Sequence, residues 1–246
     1  MGQSRTWNGN VANYLNTVDQ VTNQVGLISQ AAWIRPAALG ITNTIFGNSY
    51  DAGYGWRISS SNRLELFWSN GTTYDFHKLS VPLLVADGAS QDFLQVDTPL
   101  FVAINITSYL SPTSADFYAG ITPNGVTLLG SQGGGASIAT NGIQIIAIGV
   151  NMFGLTPEFA FNGKLQRIGR WVAVNLSLSE LKALAVCGAT PPQAAANIFF
   201  YEITGASPEP NSGTGVADAT VVGSLPLGPD LCGVLSFSNS QLITCM

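Results

Sequence analysis

The stretch that decides the fold runs Phe161-Asn-Gly-Lys-Leu-Gln-Arg-Ile-Gly-Arg-Trp171 and continues Val-Ala-Val-Asn-Leu-Ser-Leu-Ser-Glu-Leu-Lys-Ala-Leu184. Its Asn162-Gly163 pair predicts a hairpin turn of type I′, because both residues tolerate the positive φ that this turn requires. Apolar and polar residues then alternate. The alternation predicts a strand that ends near Val174.

A short helix is predicted directly after this strand. Ser177 and Glu180 have the spacing of a capping box, in which each residue satisfies a backbone N–H of the other. Gly188 lies beyond the expected end, and Pro191-Pro192 prevent the helix from continuing. Three leucines follow helical spacing: Leu178, Leu181 and Leu184. The pattern therefore predicts a helix over residues 177–185.

This strand and helix resemble the last core strand and helix of laminin-G-like jelly rolls, in the concanavalin A-like lectin/glucanase superfamily. The family pattern is F-x-G-x-I-D-E-V-x-I-W, then a loop, then L-S-x-x-E-I-x-A-L. The matching positions are Phe161, Gly163, Leu165, Ile168 and Trp171, then Leu176, Ser177, Glu180, Leu181, Ala183 and Leu184. The resemblance implies an all-β fold, a two-sheet antiparallel β-sandwich (jelly roll) with one short helix. Gln166-Arg167 replace the family's Asp-Glu, so no acidic or metal-binding role carries over there.

The rest of the chain favours the same fold class. Five Asn-Gly dipeptides, which begin at positions 8, 70, 124, 141 and 162, punctuate short apolar strands spaced roughly ten residues apart. The strand pattern predicts a core that includes Trp33, Leu66, Ile146, Ile148, Ile168 and Leu181.

Three regions are predicted along the chain. Residues 1–6 are expected to form an N-terminal arm, residues 7–223 the laminin-G-like jelly-roll domain, and residues 224–246 an extended C-terminal tail. The element Ser-Pro-Glu-Pro at 207–210, with the loop and strand after it, resembles the version of the fold found in phages and bacteria.

Composition excludes two kinds of partner. Charged residues make up 9% of the chain, where about 25% is usual, and the net charge is −5. With nine Lys and Arg and no basic run, nucleic acid is not expected as a partner. Gly, Ser, Asn and Thr interrupt the uncharged segment 117–157, so no continuous apolar span of membrane length exists.

The three cysteines, Cys187, Cys232 and Cys245, are too few and too irregularly spaced for a disulfide framework or a zinc site. The favoured interpretation is that all three are free thiols. A bridge between Cys187 and Cys232 is the alternative.

The sequence predicts a protein that is not an enzyme. Glycoside hydrolysis needs paired carboxylates, yet Glu65 has no acidic partner on its strand, and Asp87, Asp92 and Asp97 are five residues apart in a loop-like stretch. His77 is the only histidine, and no G-x-S-x-G motif accompanies it. Gly133-Gly-Gly135 lacks the Lys and helix of a phosphate loop. A divergent glycosidase is the opposing hypothesis.

Carbohydrate binding is the more specific hypothesis, because aromatic rings stack on sugars while amide and carboxylate groups form hydrogen bonds with the sugar hydroxyls. Six residues around two predicted hairpin ends have this composition: Tyr50, Asp51, Tyr54, Asn70, Tyr74 and His77. The alternative is that the tyrosines only cover a hairpin end and that Trp56 belongs to the core. No cofactor is expected; calcium, common in the superfamily, has only Asp51 and Asp116 as candidates.

The functional prediction is a structural, surface-exposed virion protein of a phage, such as a head fibre, decoration or tail-associated subunit. It is expected to form a homo-oligomer, to contact other virion subunits at the virion surface, and to retain some glycan binding. An opening without a secretory signal and an uncharged surface suited to packing among subunits favour this prediction. The alternative is a carbohydrate-binding module, extracellular or on a bacterial cell surface.

Overall fold

The computed structural model describes residues 3–22, 26–48, 53–69, 76–83, 93–139, 143–153, 156–214 and 218–232. In this part of the chain, two antiparallel sheets stack face to face around an apolar core, and one short α-helix packs on the outside. The predicted all-β jelly-roll sandwich is confirmed.

The elements follow one another in this order: β1 (Ser4–Asn8), β2 (Tyr14–Thr22), β3 (Ile28–Pro36), β4 (Asn43–Asn48), β5 (Tyr54–Ile58), β6 (Arg63–Ser69), β7 (Phe76–Pro82), β8 (Leu100–Ser108), β9 (Thr113–Gly120), β10 (Thr127–Gly134), β11 (Ile143–Ile148), β12 (Asn151–Phe153), β13 (Thr156–Glu158), β14 (Asn162–Val172), α1 (Leu178–Leu184), a 3₁₀ turn (Ala194–Ala196), β15 (Asn197–Tyr201), β16 (Ala219–Val222) and β17 (Leu227–Gly228).

The first sheet has the order β10-β9-β8-β3-β14-β1-β17, with β15 also paired to β14. The second has the order β16-β2-β11-β4-β5-β6-β7, with β12 and β13 attached at β4. For the described residues these are an eight-stranded and a nine-stranded sheet. Both sheets combine hairpins, such as β8-β9-β10 and β4-β5-β6-β7, with pairs far apart in sequence, such as β3-β14 and β2-β16, which is typical of a jelly roll.

Helix α1 confirms the predicted capping box. Ser177 Oγ accepts a hydrogen bond from Glu180 N at 3.3 Å, and Glu180 Oε2 accepts one from Ser177 N at 2.8 Å. Leu181 and Leu184 point inward, and Trp33 Nε1 donates to Ala185 O at 3.1 Å. The helix therefore covers the outer face of the eight-stranded sheet. No helix in the described ranges is long and apolar enough to cross a membrane.

The predicted core residues belong to two separate apolar clusters. Leu66, Ile148 and Ile168 are buried between the two sheets. Trp33 and Leu181 are equally buried, but they lie between the eight-stranded sheet and α1. The prediction that these five are buried is confirmed; the side chain of Ile146 lies outside the described part.

The predicted hairpin turn at Asn162-Gly163 is wrong. Both residues belong to β14, where Gly163 pairs with Trp7 on one side and with Pro36 on the other. A Cβ at Gly163 would lie 2.2 Å from Arg35 O, and its φ is +144°. Glycine is required here because three strands approach closely, not because the chain reverses.

Two of the other predicted turns can be compared with the strands around them. Asn124-Gly125 lies between β9 and β10, which pair with each other, so that hairpin is confirmed. Asn70-Gly71 falls outside the described residues, but β6 and β7 on either side of it pair with Ser69 opposite Phe76. Asn141-Gly142 also falls outside the described residues, directly before β11.

The packed structure extends further toward both chain ends than the sequence predicted. Residues 4–6, predicted as part of an arm, form the start of β1, because Arg5 pairs with Leu165 of β14 and Leu227 of β17. Residues 224–232, predicted as tail, pack back onto the sandwich, and Leu231 is fully buried. The predicted limits at residues 7 and 223 therefore run through packed structure, while the rest of the division stays a prediction.

The cysteine prediction is corrected as well. Cys187 and Cys232 form a disulfide with their Cα atoms 5.5 Å apart, so the favoured free-thiol interpretation is wrong for this pair. Their 45-residue separation concealed the contact, which arises because the C-terminal segment returns to the end of α1. Cys245 lies outside the described residues.

Candidate functional site

The structure brings two of the six predicted carbohydrate-binding residues into one row. Tyr54 on β5 pairs with Trp68 on β6, and Trp68 pairs with His77 on β7. Directly paired residues share a face of the sheet, and Trp68 belongs to the core between the sheets. Tyr54 and His77 therefore face inward at one end of the sandwich. Tyr50, Asp51, Asn70 and Tyr74 lie outside the described residues.

Tyr54 is engaged in contacts between the sheets. Its hydroxyl accepts a hydrogen bond from Gln30 Nε2 at 3.1 Å, and its ring packs edge-on against Phe46. The Arg170 guanidinium lies 5.4 Å from the ring centre. Burial raises the pKa of the Tyr54 phenol, while the nearby Arg170 charge and the Gln30 hydrogen bond partly oppose that rise.

His77 is partly buried beside Trp68, with 5.6 Å between the ring centres. The backbone at Gly135 closes over the pair, so that a Cβ there would lie 3.0 Å from the Trp68 ring. Trp68 Nε1 donates to Ala136 O at 3.1 Å. This row is thus a packed end of the sandwich. Trp56, two residues after Tyr54 on β5, is fully buried, which confirms the alternative that it belongs to the core.

The opposite, outward face of the nine-stranded sheet carries a different set of residues. One register row crosses the sheet from β16 to β7, and its central members are small. The row consists of Thr220, Asn16, Ala147, Gly47, Gly55, Phe67 and Lys78. Small residues in the middle of a sheet face let larger neighbours lie flat across it.

Phe67 uses this space. A Cβ at Gly55 would lie 2.5 Å from Phe67 Cζ and 2.7 Å from Gly47 Cα, and a Cβ at Gly47 would lie 3.2 Å from the same ring atom. The Phe67 ring therefore lies down over two glycines and does not stand away from the sheet. It forms an apolar floor on the outward face.

Arg57 covers this floor. Its guanidinium carbon lies 4.5 Å from the centre of the Phe67 ring, within the range of a cation–π contact. Arg57 Nε donates to Glu65 Oε1 at 2.6 Å, and Glu65 Oε2 lies 3.9 Å from Lys78 Nζ. Glu65 is buried and Lys78 is exposed, so the carboxylate fixes the guanidinium from below.

Phe159 completes the arrangement on the other side of Arg57. Its ring centre lies 5.8 Å from the guanidinium carbon, and the residue is 49% exposed. We call Arg57, Glu65, Phe67, Lys78 and Phe159 the Arg57 platform. It offers an open aromatic ring and charged hydrogen-bond donors on one surface, with a net charge of +1. Such a surface suits a flat, hydroxyl-rich ligand.

Only part of this platform could be found from the sequence. Alternation on β6 places Glu65 and Phe67 on one face, opposite Leu64, Leu66 and Trp68, and the structure confirms this. Arg57 and Lys78 join them through pairing with neighbouring strands. Phe159 directly follows β13 and is about ninety residues from Phe67 in sequence. No local pattern indicates these contacts.

Apart from the Arg57 platform, the surface has a depression beside the disulfide, with a volume of about 620 Å³. Its lining includes Cys187, Glu202 and Asp230. Glu202 accepts two hydrogen bonds from the buried Arg167, at 2.6 and 2.8 Å, and burial raises the pKa of its carboxyl although Arg167 opposes the rise. The carboxylate is therefore already occupied within the chain.

Metal-type ligand atoms converge at one place in the described ranges. Cys187, Asp230 and Cys232 each bring one such atom within 4.8 Å of the others, but the two sulfurs are joined in the disulfide. Of the calcium candidates, Asp116 lies on β9 opposite Asn105, and Asp51 lies outside the described residues. Calcium stays untested.

Comparison with known proteins supports the architecture. No protein-family model matches the sequence, and no curated protein matches it significantly. A solved structure with the same fold is a heptameric SAP-like pentraxin from Limulus polyphemus. It has a TM-score of 0.62 and 14% identity, and the match covers 94% of this chain and 97% of the pentraxin chain.

A second solved structure is a protein from Bacteroides ovatus that is described as carbohydrate-binding. Its TM-score is 0.61 and its identity is 16% over 94% of this chain. The match covers 60% of the Bacteroides chain, so this chain spans about three fifths of that protein's length. At such identities the similarity concerns fold. The comparisons therefore show that the chain has the jelly-roll β-sandwich fold of these solved structures.

Proposed function

We propose that this protein binds glycans on the outward face of its nine-stranded sheet, at the Arg57 platform. The observation that carries the proposal is the position of the Arg57 guanidinium between two aromatic rings, Phe67 beneath it and Phe159 beside it. Solved proteins with this fold include one described as carbohydrate-binding, which agrees with the proposal.

The chemistry of the platform fits a sugar ring. The C–H face of a sugar packs on an exposed aromatic ring such as Phe159, and its hydroxyls accept hydrogen bonds from guanidinium and ammonium groups. Because Glu65 already holds Arg57 in place, little side-chain freedom is lost when a ligand binds. With a net charge of +1, the platform favours neutral or acidic glycans over basic ones.

We propose binding without catalysis. Both oxygens of the Glu65 carboxylate face cations, Arg57 on one side and Lys78 on the other, and the group is buried. This arrangement suits a positioning role better than proton transfer to a substrate. Release of reducing sugar from a polysaccharide panel by the wild-type protein, lost in Glu65→Gln, would favour the glycosidase hypothesis instead.

A glycan array probed with the labelled full chain tests the proposal. Wild-type protein is expected to bind a defined subset of glycans, and Arg57→Met and Phe159→Ala are expected to lose that binding. Arg35→Met is the matched control, because Arg35 lies on β3 of the eight-stranded sheet, 3.6 Å from the exposed Asp97 and on the other sheet from the platform. Equal binding by Arg57→Met and Arg35→Met would contradict the proposal, as would a wild-type protein that binds no glycan.

The virion role, the homo-oligomer and the location expected from the sequence remain predictions. Light scattering on the full chain tests self-association directly. Truncation at residue 7 is a poor test, since it would delete Arg5, whose side chain is bonded to Glu209 and to Leu225 O. A monodisperse monomer at high concentration would contradict the homo-oligomer and leave the glycan-binding proposal unaffected.

A further inference from the structure

A buried cation that no carboxylate of the described residues neutralises lies inside the sandwich. Arg170 on β14 pairs with Phe199 of β15, which belongs to the core between the sheets, so the Arg170 side chain points inward. The residue is 4% exposed. Its Nε has no hydrogen-bond partner, and no carboxylate of the described residues pairs with it.

The residue beside it is also incompletely satisfied. Gln30 on β3 is the direct register partner of Arg170 and is 2% exposed. Gln30 Nε2 donates to the Tyr54 hydroxyl at 3.1 Å, but Gln30 Oε1 is buried without a hydrogen-bond partner in the described part of the chain. A free donor with a positive charge and a free acceptor therefore lie side by side, with Cβ atoms about 5 Å apart as in any antiparallel pair.

Such a pair is unusual in a folded protein. Buried polar groups are nearly always hydrogen-bonded, and a buried charge without a counterion is strongly destabilising. The other buried arginines of this chain follow that rule: Arg5 is paired with Glu209 and Arg167 with Glu202. Among the described residues, the Tyr54 ring, 5.4 Å away, is the only partner of the Arg170 guanidinium. A bound anion would supply the counterion that Arg170 lacks among the described residues.

We infer that Arg170, Gln30 and Tyr54 form a binding site for a small hydroxylated carboxylate, the chemical class that includes uronic acids. The carboxylate accepts from Arg170 Nε and neutralises the guanidinium, as bidentate carboxylate–guanidinium pairs do. A neighbouring hydroxyl donates to Gln30 Oε1. A plain carboxylate satisfies only the first group and a neutral sugar only the second, so the two free atoms together specify the ligand.

The site lies close to one end of the sandwich. Tyr54 is the first residue of β5, Gln30 the third of β3, and Arg170 the third from the end of β14. Tyr54 is partly buried and is the most exposed of the three residues, so we expect a ligand to enter from its side. This site is separate from the Arg57 platform, which lies on the outward face of the other sheet, and the inference does not rest on the proposed function.

The test is a titration of the full chain, labelled with ¹⁵N in its six arginines, with glucuronate, acetate and glucose in parallel. The Nε–H signal absent from Arg170→Lys identifies Arg170. Glucuronate is expected to shift this signal saturably, acetate to do so with an affinity lower by about 10-fold, and glucose to leave it unchanged. Gln30→Leu is expected to bring glucuronate to the level of acetate, and Arg57→Met to leave its affinity unchanged.

Several outcomes would overturn the inference. The Arg170 signal could stay fixed while the Arg57 signal moves, which would place the acid on the platform. Equal affinities for glucuronate and acetate would remove the role assigned to Gln30. A shift of the Arg170 signal in Asp51→Asn or Asp75→Asn without any ligand would show that a carboxylate of this chain already occupies the site. If Arg170→Lys fails to fold, triple-resonance assignment of the wild-type protein identifies the Arg170 signal, and the titration still tests the inference.

Discussion

Arg5 Nε donates to Glu209 Oε1 across 2.6 Å, and both side chains are almost completely removed from solvent. Glu209 also accepts from Thr204 N and from Gly205 N. This ion pair ties the first strand of the chain to the loop that precedes β16. It gives a structural reason for the Ser-Pro-Glu-Pro element, because the Glu is the counterion of a buried arginine.

Breaking this pair from one side should be costly. Glu209→Gln is expected to lower the free energy of unfolding by about 3–5 kcal/mol, because a buried Arg5 charge is left uncompensated. Urea denaturation followed by tryptophan fluorescence measures the change. The control is Asp97→Asn, which removes an exposed partner 3.6 Å from Arg35 and should cost about 0–1 kcal/mol. Equal effects of the two substitutions would contradict the importance given to the buried pair.

The disulfide should stabilise the C-terminal segment. It closes a loop between residues 45 apart, so Cys187→Ser or reduction is expected to cost about 2–4 kcal/mol of unfolding free energy. Cys245→Ser is the control and should leave stability unchanged. Alkylation followed by mass spectrometry checks the pairing directly: one cysteine should react in the denatured, unreduced protein and three after reduction. Three reactive cysteines without reduction would show that the bridge is absent.

The glycines under Phe67 should be needed for the platform. Gly55→Ala is expected to displace the Phe67 ring, because its Cβ would lie 2.5 Å from Phe67 Cζ and 2.8 Å from Phe46 O. It should cost about 1–3 kcal/mol of stability, as overpacking does, and weaken glycan binding. Gly130→Ala is the matched control, since its Cβ would meet only Val81 at 3.5 Å. Unchanged glycan binding by Gly55→Ala would contradict the role of the ring.

Tyr54 should make stability depend on pH in the alkaline range. Burial raises its folded-state pKa above the ordinary value of 10.0. A raised pKa means that the stabilisation is fully present below about pH 10 and is lost as the pH rises through the folded-state pKa. Spectrophotometric titration should show late phenolate formation that disappears in Tyr54→Phe, and that variant should lose less stability at high pH. Tyr54→Phe with an unchanged titration curve would contradict this expectation.

The sequence predicted the elements better than the contacts among them. The capping box at Ser177 and Glu180 and the alternation on β6 are local, and both are present in the structure. The hairpin turn predicted at Asn162-Gly163 was wrong because a glycine required where strands approach closely looks the same in the sequence as a glycine required in a turn. Only the folded chain distinguishes the two.

The contacts of the candidate site were also not predictable from the local sequence. Tyr54 and His77 have the composition of a sugar-binding cluster, yet register places both on the inward face with Trp68. A change of register by one residue would have turned all of them outward, and nothing in the local sequence fixes that choice. The Arg57 platform requires three separate strands and a residue beyond β13, so only the topology brings it together.

The most direct test of the glycan-binding account is calorimetric titration with the neutral glycan that binds most strongly on the array, comparing the wild-type chain with Arg57→Met and Tyr54→Phe. Arg57→Met is expected to weaken the affinity by about 10-fold or more, because a hydrogen bond to a charged group contributes about 1.5–3 kcal/mol. Tyr54→Phe, which alters the sandwich end, should bind as the wild type does. Loss of affinity in Tyr54→Phe with full affinity in Arg57→Met would contradict the account and return the glycan site to the residues chosen from the sequence.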